Sequence, residues 1–247
     1  MLNTARQRAK ILGSAVDVVD QDQCMKRIAA FMQESGSHHI ITLNAEIVYQ
    51  ARNDNELLDI INRADLVTPD GIGVVWAGKR LGYAFNERVT GIDLLQRIGA
   101  NAAEQGWSIY FLGAAPAVAE RAAEKLCSQF PGLHVLGVRD GYFTAEQLPE
   151  IVADIQALSP DFLFVALGAP KQDFFIDQYR DQLGARVLIG VGGSFDVIAG
   201  DKKRAPKWMI RWHLEWLYRL LAEPQRWRRQ LALPKFIWAV LRQRRTK

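Results

Sequence analysis

Short, almost unbroken apolar runs recur along the first 200 residues, each followed by a segment of helical periodicity; Phe162-Leu163-Phe164-Val165-Ala166-Leu167 is the clearest. A strand that is apolar on both sides must be covered on both faces, which is the condition of a parallel sheet held between layers of helices. On this reading strands fall at 11–19, 39–43, 66–68, 108–112, 134–138, 162–167 and 187–191. Helical patterns lie between them at about 22–34, 45–63, 72–82, 92–105, 116–130, 145–158 and 171–183. The expected fold class is α/β: a mostly parallel, Rossmann-like sheet with helices on both faces, followed by a helical, basic C-terminal appendage.

Charge divides the chain at about the same place. Residues 201–247 hold 14 of the 31 Lys and Arg but only Asp201, Glu215 and Glu223 among the acids, a net of +11 that leaves the first 200 residues at −7. Five of the seven tryptophans lie in the same stretch. Asymmetry of this size marks a segment that meets a partner. We therefore expect residues 1–200 to form one α/β domain and 201–247 an appendage to it. Cys24 and Cys127 have no CxxC spacing and read as reduced core thiols, which fits a reducing cytoplasm. No apolar run is long enough to span a bilayer, and the N-terminus lacks the apolar core of a signal peptide.

In open parallel sheets, ligands bind beyond the carboxyl ends of the strands. The segments in those places read Thr42-Leu43-Asn44-Ala45-Glu46, Thr68-Pro69-Asp70-Gly71-Ile72-Gly73, Gly113-Ala114-Ala115-Pro116, Arg139-Asp140-Gly141, Gly168-Ala169-Pro170-Lys171-Gln172 and Gly190-Val191-Gly192-Gly193-Ser194. Glycine lets backbone amides approach an anion closely, and a following helix N-terminus favours phosphate. Ordinary βα turns also use these residues, but six on one sheet edge point to a nucleotide-sized ligand. Gly71, Gly192 and Gly193 are the candidate close-approach positions.

Among polar candidates, Asp70 precedes a glycine at a strand end, where a carboxylate serves either as a helix cap or as a general base. Thr42 and Asn44 project to one side of an extended segment and suit hydrogen bonds to a sugar or base; Glu46 reads equally as a first-turn acid. Arg88, in the polar stretch Asn86-Glu87-Arg88-Val89-Thr90-Gly91, is either a solvated surface residue or a bidentate partner for a diphosphate. Lys171 and Gln172 fall in a first helical turn, where a cation is disfavoured unless an anion is bound. GxGxxG and Walker A patterns are absent. Asp20-Gln21-Asp22 resembles a metal-binding DxD, but Asp20 with Gln23 reads better as a capping box. The histidines show no ligand spacing, so no metal and no cofactor are expected, and a leaving diphosphate would rely on protein cations.

In the tail, 206–222 has a helical pattern with Met209, Ile210, Leu214, Leu217, Leu220 and Leu221 on one face and Trp208, Trp212, Glu215 and Arg219 on the other. Pro224 opens a second segment, broken or kinked at Pro234. Its stripe of Trp227, Leu231, Trp238 and Leu241, flanked by Arg228, Lys235 and Arg242, suits an anionic membrane surface. Nucleic acid is the rival partner of any basic patch, and the wide aliphatic face argues against it. A homo-oligomer is compatible with the sequence.

These residues, in this order, resemble the WecG/TagA/CpsF family of bacterial glycosyltransferases. The resemblance runs through Thr42-Leu43-Asn44, Pro69-Asp70-Gly71-Ile72-Gly73-Val74-Val75, Glu87-Arg88-Val89-Thr90-Gly91, Asp140-Gly141-Tyr142-Phe143, Gly168-Ala169-Pro170-Lys171-Gln172, Gly190-Val191-Gly192-Gly193, Lys203-Arg204-Ala205-Pro206 and Glu215-Trp216-Leu217-Tyr218-Arg219-Leu220. The form Pro-Asp-Gly-Ile-Gly-Val-Val looks like the TagA branch more than the enterobacterial-antigen branch; Ala45 departs from the proline that many TagA-like members carry there. The resemblance implies an inverting, metal-independent transfer of N-acetylmannosamine from its UDP donor. The acceptor would be N-acetylglucosaminyl-diphospho-undecaprenol, as in the linkage unit of wall teichoic acid. The enzyme would then be a cytoplasmic protein held peripherally on the inner face of the bacterial membrane. The resemblance implies Asp70 as base, Arg88 as stabiliser of departing UDP, and Thr42, Asn44 and Gln172 as sugar-positioning residues. Arg219, Arg226 and Arg229 would reach the lipid diphosphate, so that the 201–247 appendage would complete the active site as well as dock on the membrane. A uronic-acid donor or another UDP-sugar, a nucleotide-dependent oxidoreductase, and a non-catalytic adaptor using only the tail are the readings set against it.

Overall fold

The computed structural model describes residues 6–212, 214–222, 227 and 231–244. Its centre is a sheet of six strands: β3 (His38–Leu43), β4 (Leu66–Pro69), β5 (Ser108–Gly113), β6 (His134–Arg139), β7 (Phe162–Ala166) and β8 (Val187–Gly190). They lie in the order β4-β3-β8-β7-β5-β6, every neighbouring pair parallel. Ile40, Phe164 and Ile189 enter one core, whereas Ile41, Leu163, Val165 and Leu188 enter the layer on the opposite face. Successive side chains point to opposite faces of a strand, so the unbroken apolar runs reflect two buried faces.

One face carries α1 (Gln21–Phe31), α5 (Gly91–Gln105), α6 (Val118–Gln129) and α9 (Ser194–Ala199). The other carries α2 (Ala45–Ala51), α3 (Asn55–Arg63), α4 (Ile72–Arg80), α7 (Leu148–Leu158) and α8 (Lys171–Tyr179). Asp20 and Gln23 do form a capping box at α1. Cys24 is buried and free, and burial pushes its thiol up to about 12, as expected of an inert core residue.

Three expected elements are subdivided. The strand expected at 11–19 is a hairpin, β1 (Arg8–Ile11) against β2 (Ser14–Asp17), turning at Leu12-Gly13 with positive φ at both. Buried Asp17 ties it to edge strand β4: Arg6 donates at 2.6 and 2.9 Å, and the Val67 amide at 2.7 Å. The helix expected at 45–63 is two helices, because Asp54 accepts the Leu57 amide at 3.0 Å and starts α3 anew. The pattern at 206–222 divides into α10 (Lys207–Arg211) and α11 (Glu215–Ala222).

The last helix, α12 (Ala232–Arg242), starts two residues before Pro234, so Pro234 lies in its first turn, where the missing N–H costs nothing. Phe236 and Val240 of α12 are fully buried in the core shared with α2 and α4, and Gln243 bonds the β1–β2 hairpin at Leu12 and Lys10. The end of the basic tail is thus folded onto the α/β body.

Candidate active site

Strands β3 and β8 are neighbours, yet the helices after them leave to opposite faces: α2 enters one core layer and α9 the other. Such a switch point opens a crevice at the carboxyl edge. A cavity of about 510 Å³ lies there, over the ends of β4, β3, β8 and β7. It gathers Thr42, Asn44 and Glu46 after β3, Asp70 after β4, Gly168, Ala169 and Gln172 after β7, and Val191, Gly192, Gly193 and Ser194 after β8.

Local bonding decides what these groups can offer. The Thr42 hydroxyl donates to the Gly190 carbonyl at 2.9 Å, so towards the cavity it can only accept. The Asn44 carbonyl oxygen accepts the Ile47 amide at 3.0 Å and caps α2, leaving its NH₂ as donor. Gln172, almost fully buried, accepts the Gly192 amide at 3.0 Å and braces the glycine turn after β8. Asp70 is fixed through its backbone, with its amide donating to Leu43 at 2.9 Å. Next to it the Val89 amide donates to the Pro69 carbonyl at 3.0 Å, bringing the Arg88 loop alongside β4.

Further wall comes from the 201–247 appendage, expected to complete the site through Arg219, Arg226 and Arg229; among the described residues it is supplied by others of that segment. Lys202, Lys203 and Arg204, after α9, line the cavity together with Asp201. Lys202 pairs with Asp196 at 3.6 Å and Arg204 with Asp93 at 2.7 Å, and Arg121 pairs with Asp201. The signal available for this wall is the run of three cations that follows Asp201 after a glycine-ended helix; by composition alone it is indistinguishable from the rest of the basic tail. Glu215 and Tyr218 of α11 also line the cavity. The Glu215 carboxylate accepts from Arg88 Nη1 at 2.6 Å, both side chains being largely buried. The helical pattern sets Glu215 with Trp208 and Trp212, away from the apolar face. Those tryptophans are exposed, but Glu215 is buried because it closes this ion pair.

Not every expected site residue reaches the cavity. Gly71 begins α4 with φ 98°, Lys171 is exposed at the start of α8, and Arg88 contacts the site through Glu215; none of the three lines the cavity wall. Arg219 stands on α11, while Arg226, Arg228 and Arg229 lie outside the described residues. Trp227 and Trp238 are exposed, as are Leu231, Ile237 and Leu241, and the Arg242 guanidinium stacks 3.3 Å from the centre of the Trp238 ring. Among the described residues, no group of three His, Cys, Asp or Glu side chains is placed to hold a metal ion, and no helix is long and apolar enough to cross a membrane.

The model of the glycosyl transferase WecG/TagA/CpsF family matches residues 9–247. Three relatives are each named N-acetylglucosaminyldiphosphoundecaprenol N-acetyl-beta-D-mannosaminyltransferase. That of Bacillus spizizenii is 40% identical over 215 residues, covering 87% of this chain and 83% of the relative. The Bacillus subtilis protein is 36% identical over 236 residues (96% and 88%), and the Staphylococcus aureus protein 34% over 245 residues (98% and 95%).

Proposed function

The chain belongs to the WecG/TagA/CpsF family of glycosyl transferases, and from that premise we propose that it transfers N-acetylmannosamine from a UDP donor to N-acetylglucosaminyl-diphospho-undecaprenol. The observation that carries the reading is the division of charge in one cavity. Asp70 enters from β4, at one side of the crevice, and Lys202, Lys203 and Arg204 enter after β8 and α9. A base and a diphosphate site brought in by different elements suit a single displacement.

In that step the acceptor hydroxyl oxygen bonds to the anomeric carbon of the donor sugar as the bond from that carbon to the phosphate oxygen breaks. The Asp70 carboxylate takes the hydroxyl proton, and UDP leaves with the bonding pair, so the configuration inverts. The glycine turn after β8 and the lysines beside it receive the growing charge. Arg88 assists with the edge of its guanidinium not used by Glu215, since the fork carries several donors. Thr42 accepts from, and Asn44 donates to, the sugar hydroxyl and acetamido groups.

The exposed Trp227, Leu231, Trp238 and Leu241 support docking on an anionic membrane, where a polyprenyl-linked acceptor resides. Incubation with UDP-N-acetylmannosamine and a prenyl-diphosphate N-acetylglucosamine should release UDP and lengthen the lipid-linked glycan, also with a chelator present. Asp70→Asn should lower turnover by roughly 10²–10⁴-fold, the range of general-base catalysis. Full turnover by that variant would remove Asp70 from the mechanism.

A further inference from the structure

Beneath the cavity floor, two buried polar atoms face each other with no hydrogen-bond partner: Asp173 Oδ1 on α8 and His39 Nε2 on β3, 4.0 Å apart. Both residues are 1% exposed. With the imidazole proton on Nδ1, a carboxylate opposite Nε2 leaves two acceptors in apolar surroundings; with it on Nε2, a full carboxylate charge is left buried, and buried groups avoid both arrangements. One proton between them turns the pair into donor and acceptor, and an approach of about 1 Å closes a normal hydrogen bond. We propose that Asp173 and His39 share one buried proton and act as positioning residues for Gln172 and the glycine turn that floors the cavity.

The link to the site is steric and short. Asp173 follows Gln172 in α8, and both rest on Gly190: a Cβ there would stand 3.0 Å from Asp173 Oδ1 and 2.9 Å from the Gln172 Cδ. Gly190 in turn accepts from Thr42, and Gln172 accepts from Gly192. Displacing the Asp173 carboxyl therefore moves Gln172 and loosens the turn that would meet the donor's phosphates. Burial pushes Asp173 up to about 7 and His39 down to about 3, which puts the shared proton on the carboxyl, donating to Nε2. The charges facing the pair compensate one another. Asp65 accepts the His39 amide and pairs with Arg180 at 3.2 Å, and Arg63 pairs with Asp177 at 2.5 Å.

This inference rests on the cavity's reading as a donor site, and its test separates the two. On the full-length protein, UDP binding is measured by calorimetry from pH 6 to 8.5, beside infrared spectra of the wild type and Asp173→Asn. The wild type should lose about tenfold in UDP affinity across that range as a protonated-carboxyl band disappears. Asp173→Asn, whose amide donates at every pH, should lack the band and bind with a flat pH profile. Asp173→Ala should bind weakly throughout. A wild-type pH profile retained in Asp173→Asn, or no protonated carboxyl at pH 6, overturns the proposal. A wild type that binds no UDP at any pH overturns the donor-site reading instead, and the infrared band then decides the proton pair alone.

Discussion

Asp17 shows how much one buried carboxylate can organise. It joins the N-terminal hairpin to the edge of the main sheet by accepting from Arg6 and from the Val67 amide. Removing it leaves an amide and a guanidinium without their acceptor, so Asp17→Ala should cost roughly 2–3 kcal/mol in denaturant unfolding. The buried pair under the cavity adds a pH dependence of its own. Asp173, raised from 3.8 to about 7, contributes stability that is full below 3.8 and lost as pH rises through about 7. His39, lowered from 6.5 to about 3, contributes stability present above 6.5 and lost as pH falls through about 3. Between about pH 4 and 6.5 the two slopes oppose each other, and the wild type stays nearly level there. Asp173→Asn removes the first slope and keeps the second. Its stability in urea melts should therefore climb from pH 4 to 6.5 relative to the wild type, on the order of 1 kcal/mol per pH unit, and run parallel to it above about 7. None of this is legible in the sequence, because only folding brings Asp173 of α8 over His39 of β3.

At the scale of elements, the strands are readable because a two-sided apolar run is a local property. Ser108–Gly113, Phe162–Ala166 and Val187–Gly190 lie within a residue or two of their expected bounds. The β1–β2 hairpin is not, because its turn is two residues inside a continuous β-rich stretch. The candidate site is readable where it consists of strand-end turns (Thr42, Asn44, Asp70, Gln172, Gly192 and Gly193) and unreadable where it depends on long-range pairing. The pairing of Arg88 with Glu215 joins the α4–α5 connection to α11, 127 residues apart. It fixes α11 as a wall of the cavity, so Glu215→Gln should loosen that wall and release Arg88 from it. We expect a higher KM for the lipid acceptor with a smaller change in donor KM, measured by steady-state kinetics.

At the scale of the whole molecule, the tail is at once core, wall and surface. Phe236 and Val240 are packed into the body, Lys203, Arg204 and Glu215 enclose the cavity, and Trp227, Trp238 and Leu241 remain outside. Deleting 201–247 removes all three contributions together and uncovers the α2–α4 core, so it cannot separate them. Substitutions confined to the exposed stripe can. Trp238 is half exposed, and its ring contributes area to the surface rather than to the core. Burying a large apolar side chain in a membrane interface is worth about 1.5–3 kcal/mol, which a charged replacement forfeits. Trp238→Glu should reduce flotation with anionic vesicles by about tenfold or more. Its thermal unfolding and its turnover on a water-soluble acceptor analogue should match the wild type, while turnover on the vesicle-borne acceptor falls with flotation. Unaltered flotation would show that the stripe is not the membrane contact and would leave the tail with its enclosing role alone.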